Sequence, residues 1–136
     1  MDSEKKDTDF IEKPVTHRKH SLLKSFKCAA KGIARVILTQ RSFRIQLLMF
    51  VLTVIAGFIF HISTTEWLFI LLIGCMVLSL EMINTCLEFI IDLVTEGYRI
   101  HAKHIKDISA GAVLVSSLIA LIGGLIIFIP YLLALF

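Results

Sequence analysis

Apolar residues fall in three long runs, about residues 43–60, 67–94 and 108–128, and a segment of mixed character at about 20–40 precedes them. Each run is long enough, as a helix, to cross the roughly 30 Å of hydrocarbon in a bilayer. Inside a membrane the backbone must satisfy its own hydrogen bonds, so helices are the expected form. The pattern predicts an all-α integral membrane protein with three transmembrane helices and an N-terminal amphipathic surface helix. Residues 1–16 alternate charge with little apolar content and are expected to form a disordered tail. Residues 17–136 are expected to make one membrane domain. The turn at 61–66 is short, which makes the first two spans antiparallel neighbours. A longer connection is expected at about 95–107.

The segment at 20–40 has two faces. Leu22, Leu23, Phe26, Ala30, Ile33 and Ile37 share one stripe, while Lys24, Lys27, Lys31 and Arg35 fall opposite. This is the pattern of a helix lying in the interface with its cations toward anionic headgroups. A nucleic-acid partner is not expected, because the basic face directly precedes a span and carries no stacking aromatics.

Composition agrees with the pattern, since 57% of the 136 residues are hydrophobic and 18% are charged, outside the range of ordinary soluble domains. Charge adds orientation. From Lys13 to Thr65 there is no acidic residue and there are nine Lys or Arg, and Arg99, Lys103 and Lys106 mark the second connection. The positive-inside rule therefore places the N-terminus and that connection in the cytoplasm and the C-terminus outside. The first twenty residues are polar, so no cleaved signal segment is expected. Cys28, Cys75 and Cys86 lack metal-ligand spacing and read as small packing residues.

The second run contains what lipid should exclude. Within ILLIGCMVLSLEMINTCLEFIIDLV stand Glu81, Asn84, Glu88 and Asp92. At about 100° per residue, Asn84 lies about 60° and Glu88 about 20° behind Glu81, and Asp92 about 20° ahead of it. Four polar groups thus form one narrow stripe. A carboxylate in hydrocarbon costs several kcal/mol, or takes up a proton, unless a cation, a metal or water meets it. Three acids exceed what helix association needs, which points to a site.

The following stretch, YRIHAKHIKDISAG, sets Arg99, Lys103, Lys106 and Asp107 at the mouth of that stripe. Cations beside carboxylates suit phosphoryl transfer, which needs positive charge on the moving oxygens, a divalent ion and a carboxylate near the attacking hydroxyl. No Walker loop, dinucleotide fingerprint or protein-kinase catalytic loop is present in the chain. Gly111, Gly123 and Gly124 lie in an apolar run and are expected to be close-packing points between helices. His61, His101 and His104 have no zinc spacing and read as surface residues.

Glu81-Met82-Ile83-Asn84-Thr85-Cys86-Leu87-Glu88, with Asp92 and then Lys106-Asp107-Ile108-Ser109-Ala110-Gly111-Ala112-Val113, resembles the small prokaryotic diacylglycerol kinase family, which includes the undecaprenol kinases. The likeness covers about residues 23–130. It implies a homotrimer with sites shared between subunits, using Mg-ATP to phosphorylate a lipid alcohol. By the same likeness Glu81 is the catalytic base and Asn84 arranges the site. Glu88 is a Mg²⁺ ligand, and Lys106, Asp107, Lys103 and Arg44 face the nucleotide. Gln40 stands where the family usually has a glutamate at the metal, and an amide oxygen can still coordinate Mg²⁺ with less charge. The Phe43-Arg44-Ile45-Gln46 run is similar to the undecaprenol kinase side, so undecaprenol is slightly preferred over diacylglycerol. The competing expectation is a non-enzymatic membrane module, or a proton or cation conduit, using the same carboxylates.

Overall fold

The computed structural model describes residues 21–95, 97 and 99–135. The expected disordered tail at 1–16 lies outside the described residues. Four helices follow one another: α1 (Leu22–Thr39), α2 (Arg41–Ile59), α3 (Thr64–Val94) and α4 (Ile100–Leu133). The protein is all-α, and α2, α3 and α4 are long and apolar enough to cross a membrane.

One residue separates the amphipathic helix from the first apolar one. Gln40 takes an extended conformation, φ −100° and ψ 115°, and serves as C-cap of α1 and N-cap of α2. Only Val36 of α1 is buried, while Leu22, Leu23 and Phe26 are left open on its surface. Among the described residues nothing covers that hydrocarbon-seeking face, which is the surface an interfacial helix presents.

The turn between α2 and α3 is pinned by a reciprocal cap. Ser63 Oγ accepts from the Glu66 backbone N–H at 3.4 Å, and the Glu66 carboxylate accepts from the Ser63 backbone N–H at 2.7 Å. The Tyr131 hydroxyl, at the far end of α4, donates to the same carboxylate at 2.8 Å. A serine cap of this kind is worth about 1 kcal/mol. His61 carries the turn with φ 50°, a left-handed conformation that histidine tolerates better than most residues.

The second connection is tighter than the hydropathy implies. α4 begins at Ile100, so most of the stretch expected as a loop is its first two turns, and Gly97 with φ 85° supports the short bend before it. With 31 and 34 residues, α3 and α4 are about 46 and 51 Å long at 1.5 Å per residue. Both exceed the thickness of the hydrocarbon core and carry their polar ends beyond it.

α3 is the central helix, packed against both α4 and α2. Its close approach to α2 depends on two glycines. A Cβ at Gly74 would lie 2.2 Å from the Phe50 ring, and one at Gly57 would lie 2.9 Å from Trp67. The glycines expected to pack closely do not do so within this chain: nothing lies within 4 Å of a Cβ at Gly111 or Gly124, and Gly123 meets only Ile73 at an ordinary 3.6 Å. α4 approaches α3 through other positions, and Gly123 and Gly124 instead border open space. The cysteines differ from expectation as well, since all three are exposed and pack no core.

α2 and α4 meet at the Ser63 end, where the Phe60 ring centroid lies 6.0 Å from Phe128 and 6.1 Å from Tyr131. Beside the first half of α3 they leave a groove of about 390 Å³, walled by Phe50, Ile73, Val77 and Leu121, with Gln46 and Phe128 among its lining residues. Large apolar side chains such as Leu72 and Leu93 are exposed on α3, as lipid-facing residues are.

Candidate active site

The polar stripe of α3 has a gradient of exposure. Glu81 is 6% exposed, Asn84 7% and Thr85 2%, whereas Glu88 is half-buried and Asp92 is open. The ladder thus leads from the packed interior of the bundle to its Asp92 end.

Each rung meets a partner that neutralises part of its cost. Gln46, in the second turn of α2, donates its Nε2–H to Glu81 Oε2 at 3.0 Å. This satisfies one oxygen of the most enclosed carboxylate with a neutral donor rather than a cation. The Asn84 amide Nδ2–H donates to Glu88 Oε1 at 3.1 Å, the i to i+4 contact that the helical period allows. Asn84 Oδ1 accepts from the Ser109 hydroxyl at 2.6 Å. Ser109 Oγ also lies 3.0 Å from the Lys106 carbonyl oxygen, so its single proton is directed between α3 and the preceding turn of α4. At the open end the Lys106 ammonium pairs with the Asp92 carboxylate.

The three helices therefore converge on one line: Gln46 from α2, the ladder from α3, and Ser109 and Lys106 from α4. Two carboxylates at different depths, an amide between them and a cation at the mouth can hold a proton-bearing group at the buried end and an anion at the exposed end. Other residues expected at the site are not joined to it by side-chain hydrogen bonds or ion pairs among the described residues. Gln40 sits at the α1–α2 bend, and Arg44, Lys103 and Asp107 are exposed on the first turns of α2 and α4. His101 and His104 are likewise exposed.

Whether the donor set fits a metal depends on its chemistry. No group of three His, Cys, Asp or Glu able to hold an ion occurs among the described residues. Mg²⁺ does not need such a cage, because it commonly keeps several waters and takes one or two protein carboxylates together with phosphate oxygens. Glu88, half-buried and with one oxygen held by Asn84, fits that requirement.

Three contributors were not singled out from the sequence. Ser109 appeared only within a run, Gln46 only as part of Phe43–Gln46, and Thr85 not as a site residue at all. Thr85, the most enclosed of them, lies about 40° from Glu81 on the helical wheel, so its place beside the stripe was readable from the period. The pairings made by Gln46 and Ser109 span 35 and 25 residues of sequence and had no local signal.

Comparison with known proteins agrees with this geometry. Residues 27–128, which hold the whole ladder together with Gln46, Lys106 and Ser109, match the family model described as prokaryotic diacylglycerol kinase. The chain is 43% identical over 108 residues to the undecaprenol kinase of Bacillus subtilis (strain 168), covering 79% of this chain and 87% of that protein. It is 38% identical over 116 residues to the diacylglycerol kinase of Synechocystis sp., covering 85% of this chain and 66% of that one. With a family match extending across all four helices and the polar ladder inside it, the chain belongs to the prokaryotic diacylglycerol kinase family.

Proposed function

We propose that the protein transfers the terminal phosphate of ATP to the hydroxyl of a membrane lipid alcohol, with undecaprenol preferred over diacylglycerol. The observation that carries this reading is the ladder itself, with an enclosed carboxylate at Glu81, a half-buried one at Glu88 and the Lys106 cation at the open end. A lipid alcohol brings its hydroxyl from the hydrocarbon side and a nucleotide brings its phosphates from water, so a site joining them needs this gradient. The undecaprenol preference rests on the Phe43–Gln46 run and on the 43% identity to an undecaprenol kinase.

In this reading Glu81 receives the proton of the alcohol as the new O–P bond forms and the bond to ADP breaks. Gln46 keeps one Glu81 oxygen occupied, leaving the other for the substrate. Asn84, itself held by Ser109, fixes the Glu88 carboxylate. Glu88, with Gln40 from the α1–α2 bend, would hold Mg²⁺, which would supply positive charge against the charge that builds on the transferred phosphate. Lys106, Lys103 and Arg44 meet the anionic nucleotide, and Asp107 serves as a polar contact on the nucleotide side.

The arrangement belongs in a homotrimer with sites shared between neighbours. Within one chain Glu88 is only half-buried and Asp92 is open, and a second copy supplies the wall that a half-buried carboxylate near lipid requires. The membrane is the inner membrane of a prokaryotic cell, with the N-terminus and the α3–α4 bend in the cytoplasm.

The test is transfer of labelled γ-phosphate from Mg-ATP to undecaprenol and to diacylglycerol, measured side by side in mixed micelles. Product with the wild-type chain, and loss of at least about a hundredfold in Glu81→Gln with the oligomer intact, is the expected result. Transfer at the wild-type rate in Glu81→Gln would remove Glu81 from the base role. Absence of transfer to either lipid would overturn the kinase assignment.

A further inference from the structure

Gln46 has two polar ends, and only one is accounted for. Its Nε2–H donates to Glu81 at 3.0 Å, while its Oε1 is buried and has no hydrogen-bond partner among the described residues. An amide carbonyl shut away from water without a donor costs about 1–3 kcal/mol, and native proteins rarely leave one so. Gln46 also lines the groove between α2, α3 and α4, whose other lining residues are mostly apolar, so the orphan oxygen belongs to the residue where hydrocarbon-accessible space meets the enclosed carboxylate.

We infer that Gln46 and Glu81 together form the seat for the substrate hydroxyl, with Gln46 Oε1 as the acceptor that binds it before reaction. This rests on the kinase reading above. A lipid alcohol carries a single donor at its reactive end, and the two acceptors beside each other, the amide oxygen and the free Glu81 oxygen, share it. The amide oxygen holds the alcohol in the ground state but is too weak a base to take the proton. As the alcohol oxygen bonds to the γ-phosphorus and the bridging bond to ADP breaks, the proton passes to Glu81. Gln46 is therefore a substrate-positioning residue that also orients the base.

The pairing can be measured by changing both partners, with the alcohol and its O-methyl ether as probes. The ether keeps the chain and the oxygen but has no proton to donate. The wild-type chain is expected to bind the alcohol about tenfold more tightly than the ether, the effect of one such hydrogen bond. Gln46→Leu is expected to raise KM for the alcohol about tenfold, to leave KM for ATP within about twofold, and to narrow the preference for alcohol over ether to what Glu81 alone supplies. If Gln46→Leu does not fold, Gln46→Met, of similar length and without a strong acceptor, is read the same way. Gln46→Glu sets a second carboxylate against Glu81 and is expected to lower kcat at least about tenfold.

A Gln46→Leu protein with wild-type KM for the alcohol, or with an unchanged preference for alcohol over ether, would overturn the inference and leave Oε1 to a buried water. Failure of the wild-type chain to phosphorylate any lipid alcohol would instead overturn the reading on which it rests. The two failures are distinct.

Discussion

Lys106 on α4 and Asp92 on α3, fourteen residues apart in sequence, form the one ion pair among the described residues, at the mouth of the ladder. The pair is partly exposed, 37% for the lysine side chain and 64% for the aspartate, so water and salt screen it. In the proposed reaction the same ammonium meets the nucleotide, which makes Asp92 a competitor for it.

Asp92→Asn is therefore expected to lower KM for ATP by about 1.4- to fivefold, the range set by exposed pairs of about 0.2–1 kcal/mol. Thermal stability should change little. Measuring KM at low and high salt checks the cause, because the advantage of the variant should shrink as salt weakens the pair in the wild-type chain.

Ser109→Ala removes the donor that anchors Asn84 from α4. A loss of about 1 kcal/mol in stability is expected, together with a drop of about tenfold in kcat because Asn84 no longer holds Glu88 in place. Thermal unfolding in detergent and initial rates separate the two effects. Unaltered kcat would mean that the link is structural only.

The two kinds of glycine should respond in opposite ways. At Gly74 an added methyl meets the Phe50 ring, so Gly74→Ala is expected to destabilise by about 1–3 kcal/mol. At Gly124 nothing lies within 4 Å, and Gly124→Ala should leave the isolated chain neutral or slightly more stable, since alanine favours the helix. Unfolding of both variants under identical detergent conditions gives the comparison.

Gln40→Glu adds a full negative charge where an amide now stands at the α1–α2 bend. With Gln40 as a metal ligand, the Mg²⁺ concentration that supports half-maximal activity should fall severalfold in the variant. A titration of rate against Mg²⁺ at fixed ATP checks this, and an unchanged midpoint would remove position 40 from the metal site.

The sequence determined whatever depends on the helical period and on hydropathy. Three apolar runs and an amphipathic lead-in specified four helices, because a membrane-length apolar segment has no other way to satisfy its backbone. The spacing of Glu81, Asn84, Glu88 and Asp92 puts them on one face by the helical period alone, and the family likeness gives that face a chemistry. The sequence did not reveal that α4 extends two turns beyond its apolar run, because polar residues at the head of a helix leave hydropathy silent about where the helix starts.

Only the tertiary structure decided which side chains meet across helices. Glu81 with Gln46, Asn84 with Ser109 and Asp92 with Lys106 depend on the rotation and axial offset of α2 and α4 against α3, set by contacts such as Phe50 on Gly74. No local rule carries those offsets, because each is the sum of many weak packing contacts spread along whole helices. The buried oxygen of Gln46, without a partner among the described residues, is a product of that packing, since whether a carbonyl finds a donor is defined by everything that surrounds it.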